Sequence, residues 1–297
     1  MKKTDCAIVG KGPAGLSAAI YVARSGLDVT VVGRDIGALS GSDLIENYFG
    51  FEEPVSGQAL VEGGTAQAKR LGVEILTAEV TGAGMIDDGF QLNTSEGTIE
   101  CYALILATGL PRKKPSIEGV KEYEGSGLSY CAICDGFFYR GRDVAVLGNG
   151  NYALHEAHEL MAYAASVTIL TNGRDLSTDL KLDDKISVNI DPINRIEGVD
   201  DYVSGIRFSS GEFLPVQGIF IAEGAASALD LANGLGVATA MNAIETDKDG
   251  ATNLPGVFAA GDCTGALAQV AVAVGEGAIA GLTASRYIKK AKAESQS

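Results

Sequence analysis

The chain has 297 residues, a length that allows two compact domains or one large one. It carries 23 Lys and Arg against 38 Asp and Glu, a net charge of −15. Such an acidic surface repels nucleic-acid phosphates and anionic lipids, so we expect neither as a partner. Glycine accounts for 39 residues, nearly twice its average share of about 7%. This excess indicates many turns and close backbone approaches.

Cysteine usage and hydropathy favour a soluble, cytoplasmic protein. The five cysteines are an odd number with one close pair, which is not a secreted disulfide framework. The apolar run near the start, residues 6–9, is too short for a signal peptide. The most apolar stretch, residues 266–282, contains Gln269 and Glu276, so it would bury a charge in a bilayer.

The first thirty residues predict a strand, a glycine turn, a helix and a second strand. Residues 5–9 are an apolar run of the parallel-strand kind, and the turn Gly-Lys-Gly-Pro-Ala-Gly follows at 10–15. A helix is predicted over 16–25 and a strand over 28–32. In this context G-x-G-x-x-G predicts a dinucleotide site, with a purely structural glycine turn as the alternative.

The same pattern returns in the middle of the chain. A strand is predicted over 142–147, a turn over 148–153, a helix over 154–164 and a strand over 167–170. Two such units predict an α/β protein with two Rossmann-like, three-layer ββα domains. A buried strand at 102–109 and a proline-containing connector at 110–115 lie between the units.

The C-terminal part contains a further strand, 257–262, that ends in Gly261-Asp262 and precedes a predicted helix over 268–288. A carboxylate at the end of a parallel strand can accept a hydrogen bond from a sugar or ribityl hydroxyl. Asp262 could instead cap the next helix.

The pair Cys131-Ala132-Ile133-Cys134 precedes the second unit and has the spacing of a readily exchanged disulfide. Asp135 could supply or take the proton that thiol exchange requires, or serve only as a turn residue. A zinc site with His155 and His158 is the alternative reading of the pair. The other cysteines, Cys6, Cys101 and Cys263, lie in or beside apolar strands, where we expect them to pack as small hydrophobic residues.

Together these motifs resemble the low-molecular-weight thioredoxin reductases over essentially the whole chain. The resemblance rests on G-K-G-P-A-G, the segment 46–50 (Glu-Asn-Tyr-Phe-Gly), Ala107-Thr108-Gly109, C-A-I-C-D-G and Ala260-Gly261-Asp262. It implies a discontinuous FAD domain (1–114 and 243–297) around a smaller domain (115–242) that carries the C-x-x-C. It also implies a homodimer, with Cys134 facing the flavin, Cys131 attacking a thioredoxin-like partner and Asp135 acting as the acid. The implied FAD contacts are Gly10, Gly12, Pro13, Ala14, Gly15, Gly33, Arg34, Gly37, Ala38, Leu39, Asn47, Val80, Ala107, Thr108, Gly109, Gly261, Asp262, Gln269 and Val270.

The chain departs from the family pattern at the place where the electron donor would bind. Members of the family that use NADPH hold its 2′-phosphate with a basic cluster after the second strand of the middle domain, where this chain reads Leu-Thr-Asn-Gly-Arg-Asp at 170–175. A single Arg174 beside Asp175 is a weak phosphate clamp, and Tyr152 is bulky for a pyrophosphate turn. The combination resembles the ferredoxin-dependent flavin thioredoxin reductases, in which reduced ferredoxin replaces NADPH.

Alternative functions are an NAD(P)H-dependent thioredoxin reductase, a related oxidoreductase with a second flavin, and a non-enzymatic flavin redox sensor. Because ferredoxins are usually acidic, a ferredoxin-dependent enzyme requires a basic patch on this acidic chain. The candidates are residues 112–114, Arg140 with Arg142, and Lys289, Lys290 and Lys292.

Overall fold

A computed structural model describes residues 2–42, 44–109, 115–130, 132–178, 180–223, 227–241 and 243–294, without the side chains of Ala38, Ile133 and Cys134. The chain divides into two compact units, one made of Met1–Pro111 and Ser227–Ser297 and the other of Arg112–Ala226. The second boundary lies earlier than the predicted 243. The helix that follows Ser227 packs against the first unit, where the Ala228 N–H donates to the Thr108 hydroxyl at 2.7 Å.

The strands of the described residues are β1 (Lys2–Val9), β2 (Val29–Val32), β3 (Glu74–Leu76), β4 (Val80–Ile86), β5 (Gly89–Thr94), β6 (Gly97–Leu106), β7 (Leu128–Ser129), β8 (Asp143–Leu147), β9 (Ser166–Leu170), β10 (Ile186–Asn189), β11 (Ile193–Val199), β12 (Tyr202–Phe208), β13 (Phe213–Pro215), β14 (Gly218–Ile221), β15 (Thr239–Ala240), β16 (Ala243–Ile244) and β17 (Val257–Ala259).

The helices are α1 (Pro13–Arg24), α2 (Gly57–Arg70), α3 (Ala132–Asp135), α4 (Asn151–Leu160), α5 (Ala228–Leu235) and α6 (Val270–Glu294), with short 3-10 turns at Gly37–Gly41, Gly136–Tyr139 and Asp262–Thr264. The helix predicted over 16–25 starts earlier, at Pro13, because proline is favourable in the first turn, where no N–H is needed. The helix predicted over 154–164 is shifted toward the N-terminus, to Asn151–Leu160.

In the first unit, the parallel strands β3, β2, β1 and β6 lie in that order, and β17 also pairs with β6. The N-terminal half of β6 pairs with β5, which pairs with β4, both antiparallel. Ile8, Val31 and Ile105 are fully buried at the centre of the sheet. The long β6 thus joins a parallel core to an antiparallel meander, as a three-layer ββα domain requires.

Helices α1 and α6 pack closely on one side of this sheet. A Cβ atom on Gly277 would lie 2.2 Å from the carbonyl oxygen of Ala14, and one on Gly281 2.5 Å from that of Ala18. Small residues one turn apart on each helix therefore allow their backbones to approach closely. Part of the glycine excess in the composition is explained by this contact rather than by turns.

The second unit contains the parallel sheet β10-β9-β8-β14-β7 and the antiparallel sheet β11-β12-β13. Strand β8, the turn after it, α4 and β9 form the second predicted βαβ unit. The turn between β11 and β12 places Asp200 and Asp201 at φ 52° and 65°, the left-handed conformation of tight hairpin turns.

None of the helices in the described part of the chain is long and apolar enough to cross a membrane.

Candidate functional sites

The parallel strands of the first unit end side by side. Val9 of β1 is in register with Val32 of β2 and with Leu106 of β6, and Ala259 of β17 is also in register with Leu106. The residues that follow these strands are therefore gathered at one edge of the sheet. This edge is where doubly wound sheets bind ligands.

The glycines after β1 leave an open space in front of α1. A Cβ atom on Gly10 (φ 115°) would lie 2.1 Å from the Ala107 carbonyl oxygen, and one on Gly15 would lie 1.8 Å from the Gly10 carbonyl oxygen. Packing of the backbone therefore requires both glycines. By contrast, a Cβ atom on Gly12 would meet no described atom within 4 Å. Gly12 is the N-cap of α1 and offers no side-chain cap, so the helix N-terminus can bind a pyrophosphate with its backbone N–H groups.

The turn after β17 holds Asp262 at the same edge, and Glu276 of α6 supports this turn. The Glu276 Oε2 atom accepts hydrogen bonds from the Gly261 N–H at 2.8 Å and from the Thr264 hydroxyl at 3.0 Å. Burial raises the pKa of the Asp262 carboxyl. Sequence reasoning gave Glu276 no role; its only signal was that it is the one charged residue in the apolar stretch 266–282.

Two residues that are distant in sequence and were predicted to contact FAD are hydrogen-bonded to each other in the first unit. The Asn47 side-chain amide donates to the Gln269 Oε1 atom at 2.9 Å, and both side chains are exposed. In the loop after β2, the Asp35 carboxylate accepts from the Gly37 N–H at 2.9 Å and lies 3.3 Å from the Arg34 Nε atom. These contacts order the polar groups of two loops of the same unit.

The remaining predicted residues also lie in the first unit: Pro13 and Ala14 in the first turn of α1, Gly33 after β2, Leu39 in the 3-10 turn, Val80 at the start of β4, Ala107, Thr108 and Gly109 after β6, and Val270 at the start of α6. The side chain of Ala38 lies outside the described residues. The open helix N-terminus, the Asp262 carboxyl and the Asn47 and Gln269 amides fit the pyrophosphate and the hydroxyl and amide groups of FAD.

The corresponding turn of the second unit is hydrogen-bonded to a later segment of its own chain. The Asn149 carbonyl oxygen accepts from the Ser177 N–H at 2.7 Å, and the Asn149 side-chain amide donates to the Asp175 carbonyl at 3.2 Å. One residue into α4, the Asn151 Oδ1 atom accepts from the Thr178 hydroxyl at 2.7 Å. The segment 175–178 therefore takes up polar groups that a bound dinucleotide would otherwise contact.

Arg174, the single cation that the sequence offers for a nucleotide phosphate at this position, is already engaged. Its guanidinium forms an ion pair with Glu223, and its Nε atom donates to the Thr171 carbonyl at 3.2 Å. A carboxylate on the guanidinium opposes phosphate binding.

The redox motif lies in the second unit, where α3 covers Ala132–Asp135. The Ser129 hydroxyl, at the end of β7, donates to the Asp135 Oδ2 atom at 2.6 Å. Cys131 and the side chain of Cys134 lie outside the described residues, so their predicted pairing stays a prediction. Sequence reasoning did not identify Ser129, although its position two residues before the motif was the available signal.

The zinc alternative also remains a prediction, because Cys131 and the side chain of Cys134 lie outside the described part. Among the described side chains, no group of three His, Cys, Asp or Glu could hold a metal ion. Burial lowers the pKa of His155, one of the two histidines of the zinc alternative. The other cysteines are buried and free, as predicted, and burial raises the thiol pKa of Cys101 and of Cys263 to about 12.

An open dinucleotide turn in one Rossmann-like unit and a C-x-x-C motif in a second such unit define the class of two-domain flavin disulfide oxidoreductases. The family model for pyridine nucleotide-disulphide oxidoreductases matches residues 4–277. The chain belongs to this family and, within it, to the thioredoxin reductases, which are FAD flavoproteins.

Individual relatives agree with this placement. The chain is 33% identical to a thioredoxin reductase of Listeria monocytogenes, over 97% of this chain and 95% of that protein. It is 36% identical to a thioredoxin reductase of Rickettsia felis, over 97% and 99%.

Among solved structures, the atypical thioredoxin reductase TRi from Desulfovibrio vulgaris Hildenborough is 45% identical, with a TM-score of 0.91 over 97% of this chain and 98% of that one. A ferredoxin-flavin thioredoxin reductase from Clostridium acetobutylicum is 31% identical, with a TM-score of 0.71 over 98% and 99%.

Proposed function

We propose that the protein is a ferredoxin-dependent thioredoxin reductase: electrons enter from reduced ferredoxin at FAD, pass to the Cys131–Cys134 disulfide and leave to a thioredoxin-like protein. The observation that carries the proposal is the contrast between the two dinucleotide turns. A Cβ atom on Gly12 would meet no described atom within 4 Å, whereas the Asn149 carbonyl and side-chain amide are already hydrogen-bonded to the segment 175–178. A nicotinamide donor or a second flavin would need the turn at Asn149.

FAD, when bound, supplies the ability to accept electrons singly and to deliver them as a pair. The chain's own residues then carry out thiol–disulfide exchange. Cys131 attacks one sulfur of the partner disulfide and forms a mixed disulfide. Cys134 attacks the Cys131 sulfur, which releases the partner as a dithiol and restores the Cys131–Cys134 bond. Asp135, held by Ser129, takes up the proton that an attacking thiol loses and passes it to the departing partner thiolate.

An exposed aromatic cluster beside Asp135 supports a protein substrate. The side chains of Phe137 and Phe138 are 61% and 69% exposed, and their ring centroids lie 6.3 Å apart. The Tyr163 ring also lies 6.3 Å from that of Phe137. Exposed aromatic residues are enriched where proteins bind one another. We propose that this cluster binds the thioredoxin-like partner.

For the donor, the three basic patches differ in their surroundings. Lys292 pairs with Asp5 at 2.5 Å, and Lys290 lies 3.8 Å from Glu294, so part of the C-terminal patch is neutralised. Residue 289 is also about 28 Å along α6 from Val270, at 1.5 Å per residue. Arg140 and Arg142 are exposed and stay a candidate. We propose residues 112–114, which lie outside the described part, as the first candidate for the ferredoxin contact.

The donor is tested by recording the absorption spectrum of the bound FAD under anaerobic conditions during separate additions of NADPH, NADH and reduced ferredoxin. We expect reduced ferredoxin to bleach the flavin band and both nicotinamides to leave it unchanged. Rapid bleaching by micromolar NADPH or NADH would establish the nicotinamide-dependent alternative and overturn the ferredoxin proposal.

Charge reversal tests the docking patch. Glutamate at positions 112, 113 and 114 should slow reduction by ferredoxin at low salt, and the difference should shrink as salt screens the charges. The matched control is charge reversal of Lys289 and Lys290, which should leave the rate unchanged. Equal rates for both variants and the unmodified protein would exclude the 112–114 patch.

A homodimer and a cytoplasmic location complete the proposal, on the resemblance to the family.

A further inference from the structure

Two buried side chains on one face of α4 contact the backbone on either side of Cys131 in the sequence. The Tyr152 hydroxyl donates to the Tyr130 carbonyl at 3.4 Å, and the Glu156 Oε2 atom accepts from the Ala132 N–H at 2.7 Å. Tyr152 and Glu156 are one helical turn apart, so they share a face of α4. Their exposed fractions are 3% and 5%. The helix of the second dinucleotide unit therefore supports the redox segment.

The bond to Glu156 is the stronger of the two and involves a buried carboxylate. A carboxylate is costly to bury unless hydrogen bonds compensate it, and charge-assisted bonds are about twice as strong as neutral ones. Ala132 is the first residue of α3, so its N–H has no partner within the helix. Glu156 uses this N–H and places its carboxyl group at the start of the redox helix.

This arrangement has a consequence for thiol chemistry. Free N–H groups at a helix N-terminus stabilise a thiolate, and a disulfide enzyme whose reduced form is stabilised in this way is a strong oxidant. Here the N–H is directed to a carboxylate instead, and the added negative charge disfavours a neighbouring thiolate. Both effects make the reduced pair less stable relative to the disulfide.

We propose that Glu156 is a positioning residue that makes the Cys131–Cys134 pair a stronger reductant, an inference that rests on the proposed redox role of that pair. In the couple concerned, the disulfide takes up two electrons, the S–S bond breaks, and protons from solvent give a dithiol in equilibrium with a thiol–thiolate pair. By disfavouring the thiolate, Glu156 shifts the reduction equilibrium toward the disulfide. The dithiol therefore passes its electrons more readily to the partner disulfide.

The test is a redox titration of the FAD-loaded protein in dithiothreitol buffers at pH 7, with alkylation and mass spectrometry to count reduced Cys131 and Cys134. Glu156→Gln keeps an acceptor oxygen and the side-chain volume but removes the charge. We expect its equilibrium constant for reduction to rise about tenfold, equal to about 30 mV for a two-electron couple. Glu159→Gln, the same change at a more exposed position on α4, is the control and should stay within about twofold of the unmodified protein.

A second variant covers the case in which Glu156→Gln does not fold. Glu156→Met replaces the carboxylate by an apolar side chain of similar volume, a change that buried ionic groups often tolerate, and the same shift is expected. A folded variant of either kind with an unshifted equilibrium would overturn the role of Glu156. If the unmodified protein shows no Cys131–Cys134 couple, the proposed function fails instead, so the two failures are distinguishable.

Discussion

The guanidinium of Arg174 forms an ion pair with the carboxylate of Glu223. The sequence shows a lone arginine where the family resemblance implies a basic cluster for NADPH, and the fold gives that arginine an acidic partner. A nucleotide phosphate would have to compete with Glu223 for the same N–H groups.

Freeing Arg174 should not create a nicotinamide site. In Glu223→Ala the guanidinium loses its carboxylate, but the polar groups of Asn149 are still hydrogen-bonded to the segment 175–178. We expect NADPH to leave the flavin spectrum of this variant unchanged, measured anaerobically by stopped flow. A gain of NADPH-dependent bleaching would show that Glu223 alone excludes the nucleotide.

Substitutions at two glycines of the turn after β1 should have different effects, one on flavin binding and one on folding. Gly12→Ala adds a methyl group to open space, so the apoprotein should lose no more than about 1 kcal/mol. Its FAD affinity should fall about tenfold or more, because the methyl group enters the proposed pyrophosphate space. Gly15→Ala brings a Cβ atom against the Gly10 carbonyl and should destabilise the apoprotein by about 1–3 kcal/mol or more.

These two effects are measured by thermal unfolding of the apoproteins and by fluorescence titration with FAD. Equal FAD affinity in Gly12→Ala and the unmodified protein would place the pyrophosphate elsewhere.

Removing Glu276 should weaken FAD binding through the turn that holds Asp262. In Glu276→Ala the buried Gly261 N–H loses its acceptor, a loss that costs about 1–3 kcal/mol. We expect about a tenfold drop in FAD affinity by the same titration. Glu276→Gln keeps an acceptor oxygen and should remain near the unmodified protein, as should the control Glu294→Ala at the far end of α6. A Gln variant as weak as the Ala variant would show that charge, not the hydrogen bonds, matters.

Asp262 should make apoprotein stability depend on pH. Burial raises its pKa in the folded state above the value of 3.8 in model compounds, so folding disfavours the ionised carboxylate. Asp262→Asn should therefore stabilise the apoprotein at pH 7, and this gain should disappear as the pH falls below 3.8, where the carboxyl is neutral in both states. Thermal unfolding at several pH values measures the difference, with the exposed Asp88→Asn as control. A gain that persists unchanged at low pH would mean that the carboxylate charge is not its cause.

Much of the fold could be predicted because its signals are local. The turn at 10–15 between an apolar strand and a helix, and its repeat at 148–153, are patterns within one βαβ unit, and both units form. The sheet β11-β12-β13 was not predicted. Its hairpin turn has Asp-Asp at 200–201, which is not the Asn-Gly or Asp-Gly pair that marks such turns most strongly.

The sequence by itself determined the class of protein, because the signals are patterns of neighbouring residues. They are the two Rossmann-like units, the open glycine turn, the C-x-x-C motif and the absence of a basic cluster for a nucleotide phosphate. Only the tertiary structure decided that Arg174 is neutralised by Glu223, that Glu276 supports the Asp262 turn, and that Tyr152 and Glu156 contact the redox segment. These partners are separated along the chain and meet only when strands pair and helices pack. For the same reason Tyr152, which the sequence suggested only as an obstacle to a nucleotide, has a structural partner in Tyr130.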